Sequence, residues 1–186
     1  DLGYVKDNRG GTEQVPWIVP WVNVLDGNTV GWYMSDDLST ITKDVSDRVS
    51  IWADKLGVNN LSQTGADEKK PILTNKVMTF DGIRQYIGKA FTWVQPEYIY
   101  MVVNQKTWTL NDYLFDGNGN SLGAVFQSAT TPGLKGWAGG TSAQNNNLAV
   151  DTWAILRVQF LSNTHKLQVN ETAVNKTGKE WLLRGS

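Results

Sequence analysis

The chain has 186 residues, 17 Lys+Arg against 18 Asp+Glu for a net charge of −1, no Cys, one His and nine Trp. Near-neutral charge lacks the basic footprint of a nucleic-acid binder, and the absence of Cys removes disulfides, thiolate metal sites and cysteine nucleophiles. An apolar content of 40% is too high for a disordered chain, and no apolar run approaches the ~20 residues of a membrane span, so neither nucleic acid nor membrane insertion is expected.

Residues 1–14 are polar and Gly-containing, and VPWIVPWVNVL follows at 15–25. Pro16 and Pro20 withdraw two backbone donors, which leaves an edge strand or an apolar arm. Residues 1–29 are therefore expected to be an N-terminal arm or linker anchored by Trp17 and Trp21. A start at Asp1 without Met suggests a piece excised or processed from something longer. The only stretch with helical spacing is 38–56, but its Ser, Thr and Asp content fills a helix poorly. A turn or short helix at 36–41 and a strand near 49–53 are expected instead.

Short apolar segments separated by turn residues then follow: 77–80 closed by Asp81-Gly82, 98–103 between Pro96 and Asn104, 107–115 running into Asp116-Gly117-Asn118-Gly119-Asn120, and 122–127. Residues 152–161 alternate, with Ala154, Leu156, Val158 and Phe160 on one face and Arg157 and Gln159 on the other. That is the period of a half-buried strand. Residues 166–175 read as a hairpin about Asn170-Glu171. Regular short strands with Gly and Asn turns predict an all-β sandwich or barrel.

Three stretches resemble the laminin-G-like members of the concanavalin A-like jelly-roll group found in phage virion and bacterial surface proteins. The first is Gly31-Trp32-Tyr33-Met34-Ser35-Asp36-Asp37-Leu38 with Val49-Ser50-Ile51-Trp52-Ala53-Asp54-Lys55. The second is Val77-Met78-Thr79-Phe80-Asp81-Gly82 followed by Tyr86-Ile87, and the third is Asp151-Thr152-Trp153-Ala154-Ile155-Leu156-Arg157-Val158 with the 166–178 hairpin. The resemblance implies a jelly-roll β-sandwich of antiparallel strands over 30–186. Trp32, Trp52 and Trp153 would sit in its core, and its last strands would be missing or supplied by another segment. It also implies an extracellular or virion setting.

Relatives of that fold include hydrolases and lyases, so catalysis is the first question. Glycoside hydrolysis needs paired carboxylates, but none of the five Glu has a carboxylate two residues on. His165, the sole base for a Ser nucleophile, lies in Ser162-Asn163-Thr164-His165-Lys166 and reads as a surface turn. No catalytic residue is assigned, and a polysaccharide lyase or glycoside hydrolase ranks last.

Recognition fits better, because sugars are held by aromatic rings against C–H faces with amides and carboxylates on the hydroxyls. Trp108, Tyr113, Asp116, Asn118, Trp137 and Asn145 supply those types. Trp137 leads, flanked by Gly133, Gly136, Gly139 and Gly140 in what reads as a loop. Asp116, Asn118 and Asn120 alternate as oxygen donors suited to calcium, although they lack the closing Glu of an EF-hand loop. The expected partner is a glycan or cell-surface polysaccharide. The alternative is a structural or assembly domain, such as a capsid or tail decoration, docking other virion or surface-protein chains through its arm.

Overall fold

The computed structural model describes residues 29–90, 97–117, 123–128, 132–139, 141–160, 165–170 and 172–175. Among them the chain is all-β: short antiparallel strands, joined by turns and two single 3-10 turns. The expected arm lies outside the described residues except for Thr29. The chain divides into two compact units, 1–90 and 91–186.

In the first unit, the expected turn is a 3-10 turn at Leu38–Thr40, capped by Asp37, whose carboxylate accepts from Ser39 N at 3.3 Å and Ser39 Oγ at 2.6 Å. Strands β1 (Ile41–Lys43), β2 (Val49–Trp52) and β3 (Leu61–Ser62) form a three-stranded antiparallel sheet. β4 (Ile72–Thr74) and β5 (Val77–Thr79) form a hairpin. Asn75 and Lys76 turn between them at φ 50° and 64°.

The motif-bearing loop after β2 is organised by Asp54, which is buried and accepts backbone N–H groups from Trp32 (2.8 Å), Leu56 (3.0 Å), Asn59 (3.1 Å) and Val58 (3.4 Å). Asn60 accepts from Asp54 N at 3.0 Å, so both ends of the loop are tied. Tyr33 stacks edge-on against Trp52 with ring centroids 5.8 Å apart.

The second unit holds two four-stranded antiparallel sheets in the arrangement of a β-sandwich. β6 (Glu97–Asn104) pairs with β11 (Trp153–Phe160), which pairs with β12 (Lys166–Val169) and then β13 (Thr172–Asn175). The other sheet is a meander of β7 (Tyr113–Asp116), β8 (Ala124–Gln127), β9 (Leu134–Ala138) and β10 (Thr141–Asn145).

Alternation decides which side chains meet between the sheets. Ala154, Leu156, Val158 and Phe160 of β11 point inward as the sequence predicts. With Leu167 and Val169 they pack on Val125, Leu134, Ala138, Ala143 and Leu148. Gly136 is small because the sheets approach there: a Cβ would stand 3.4 Å from Val158 Cγ1.

The same parity overturns two expectations. Trp153 is one residue before inward-facing Ala154, so its ring projects to the outside and is half exposed rather than in the core. His165 is two residues before buried Leu167 and is itself buried, not in a surface turn. Its Nε2 lies 2.6 Å from the Ala138 carbonyl, which receives the ring proton, and its ring packs edge-on against Phe160 at 5.7 Å.

Candidate functional site

The outward face of the β7–β10 sheet gathers three of the expected ligand-binding residues. Register places Gln144, Lys135, Phe126 and Tyr113 side by side on successive strands, with Ser142, Trp137, Ala124 and Asp116 in the adjacent row. Directly opposed side chains on such a sheet stand about 5 Å apart and diagonal ones about 7–8 Å. Trp137 is therefore diagonal to Phe126, and Phe126 is opposite Tyr113. The latter two rings lie 5.3 Å apart at 30°, and Lys135 Nζ sits 5.9 Å from the centroid of Phe126.

Local chemistry explains why β7 contributes to this face. Asn111 turns the chain at φ 68°, and Asn111 N donates to Gln127 O at 2.7 Å while Gln127 N donates to Asp112 O at 2.9 Å. Buried Gln127 accepts from Thr109 N through Oε1 at 2.6 Å, which fixes the same turn. Between Tyr113 and Phe115 the register shifts, as in a β-bulge. The extra residue, Leu114, packs on the core beside Phe115. An ordinary strand would send residues three apart to opposite faces. The bulge resets the parity and brings Tyr113 and Asp116 to one side.

The remaining expected residues fall elsewhere. Trp137 belongs to strand β9, not to a loop, because the surrounding glycines include a packing position as well as turns. Trp108 is partly buried against the core rather than on this face. Asn145 points inward opposite Leu134 and is buried; its Oδ1 accepts from Asn147 N at 2.8 Å and its Nδ2 reaches Leu167 O at 3.4 Å. Asn118, together with Asn120 of the suggested calcium loop, lies outside the described residues, which leaves Asp116 as that loop's described oxygen donor. Among the described residues no group of three or more His, Asp and Glu is placed to hold a metal.

Phe126 and Lys135 were not singled out in the sequence. The signal was present: both sit at alternate positions from residues with buried neighbours, Val125 and Gln127 flanking one, Leu134 and Gly136 the other. Among the described residues this face carries three aromatic rings with one cation, one carboxylate, an amide and a hydroxyl beside them.

In the first unit the titratable groups serve structure. Burial acts to raise the pKa of Asp54, but the backbone N–H groups of Trp32, Leu56, Asn59 and Val58 outweigh it and hold the carboxyl below its ordinary value. Burial, with help from the Asp54 charge, pushes the Tyr33 phenol up to about 12. Its hydroxyl donates to the Asn59 carbonyl. Arg48 bridges Asp44 at 2.8 Å and Asp67 at 3.0 Å, and Lys70 reaches Asp67 at 2.7 Å.

Comparison with known protein families, curated proteins and solved structures finds no match for this chain.

Proposed function

We propose that this chain is a non-catalytic recognition module that binds a glycan or cell-surface polysaccharide on the outward face of its β7–β10 sheet. The finer fold we assign to it is the laminin-G-like, concanavalin A-like jelly roll that its motifs resemble. The setting we assign is a phage virion or bacterial surface protein. What carries the reading is the cross-strand register that puts Trp137, Phe126 and Tyr113 on one face with Lys135, Gln144, Ser142 and Asp116.

The chemistry suits a saccharide. Aromatic rings meet the apolar C–H faces of a pyranose and cost little entropy to hold, because each has two side-chain torsions. The donors and acceptors beside them suit the hydroxyls. Lys135 favours a saccharide bearing an acidic group.

A glycan array probed with the intact chain and with Trp137→Ala tests this. The expected result is binding with Kd below about 1 mM and at least tenfold weakening in the variant, a loss of about 1.4 kcal/mol. Failure of the wild-type chain to bind any glycan sinks the proposal.

A further inference from the structure

We infer that the opposite outward face, along the edge strand β6, is a self-association surface whose partner is a second copy of this chain. On that face Tyr98, Tyr100 and Val102 of β6 are 49%, 68% and 71% exposed, and Trp153 and Ile155 of β11 are 52% and 47% exposed. Register makes them one patch, because Ile155 is opposite Val102 and Trp153 is opposite Asn104. Five large apolar side chains in contiguous positions present on the order of 500 Å². That is the range in which an exposed patch marks an interaction site.

A second observation points the same way. Asn104 Oδ1, Arg157 Nε and Gln159 Oε1, all on residues of this face, are buried without a hydrogen-bond partner. Native structures satisfy nearly all such atoms. Their strand partners are Trp153, Tyr100 and Tyr98, three of the exposed rings that an occupant of this face would contact.

Two features select a second copy as the occupant. Residues 98–103 (YIYMVV) carry no charge, and the exposed side chains beside them on β11 are Trp153 and Ile155. A two-fold contact uses one patch on both partners, and two such patches packed face to face bury about 1,000 Å², the threshold for a specific interface.

The test is sedimentation velocity on the intact chain from micromolar to sub-millimolar concentration, with Val102→Lys, Ile155→Lys and Trp137→Ala alongside. Circular dichroism reports folding of each. The wild-type chain and Trp137→Ala are expected to dimerise, and both lysine variants to dimerise at least tenfold more weakly. Ile155→Lys decides the matter if Val102→Lys does not fold. A wild-type chain that stays monomeric throughout, or a dimer that folded lysine variants leave intact, overturns the inference.

Discussion

The two outward faces of the sandwich lie on either side of one core and differ in what stands between their aromatic rings. On the β7–β10 face, Lys135, Gln144, Ser142 and Asp116 share the two rows with Tyr113, Phe126 and Trp137. On the β6/β11 face, Tyr98, Tyr100 and Trp153 stand opposite Gln159, Arg157 and Asn104, whose Oε1, Nε and Oδ1 are buried without a partner, and what is left exposed between the rings is aliphatic, Val102 and Ile155. Aliphatic neighbours offer hydroxyls nothing, whereas they suit another protein surface. Aromatic content alone therefore does not separate a sugar platform from a protein interface; the residues interleaved with it do.

The largest way to break the comparison is to remove what both faces share. Phe160 is fully buried beneath them and touches His165. Phe160→Ala is expected to cost about 3–5 kcal/mol in chemical denaturation and to abolish glycan binding and dimerisation together. Retention of one function in a folded variant would separate the faces more than a common core allows.

A change in the first unit touches neither face and sharpens the contrast. Asp54→Ala removes the acceptor for four backbone N–H groups and is expected to destabilise that unit by about 1.5–3 kcal/mol. The pH dependence follows from the depressed pKa of this group. A carboxyl titrating lower folded than unfolded contributes stability above the unfolded value of ~3.9, and that stability is lost as pH falls through the folded value. Hydrogen exchange over residues 29–90 should show a larger acid loss in the wild type than in Asp54→Ala, in which Asp37, Asp44, Asp67 and Asp81 keep their lowered pKa values.

Smaller effects distinguish the residues within the sugar face. Gln144→Ala, at one end of a row and exposed, is expected to weaken glycan binding a few-fold, less than Trp137→Ala, with an unchanged melting temperature. Equal losses in the two variants by calorimetric titration would remove Trp137 from its central place.

Much of this arrangement can be read from strand parity. The alternation of 152–161 is plain because Ala154, Leu156, Val158 and Phe160 are unbroken by any bulge. The same alternation obliges Trp153 to face outward, although the motif resemblance assigned it to the core; the local period was the better guide. His165 follows the inward parity of Leu167 and Val169, yet its polar neighbours mimic a turn.

Other features depend on contacts distant in sequence. Gly136 looks like loop composition until Val158 is seen to approach it from the other sheet. The bulge at Leu114 leaves no periodic trace, and without it Tyr113 and Asp116 could not be placed together. Asn145 has the residue type of a sugar ligand, but it turns inward because its strand partner is Leu134.

The most direct measurement is an amide NMR titration of the chain with the saccharide that binds best on the array. Recognition on the β7–β10 face predicts shifts concentrated at Tyr113, Phe126, Lys135, Trp137 and Gln144, with Tyr98, Tyr100 and Trp153 unmoved. Shifts centred on Tyr98, Tyr100 and Trp153 would contradict the account.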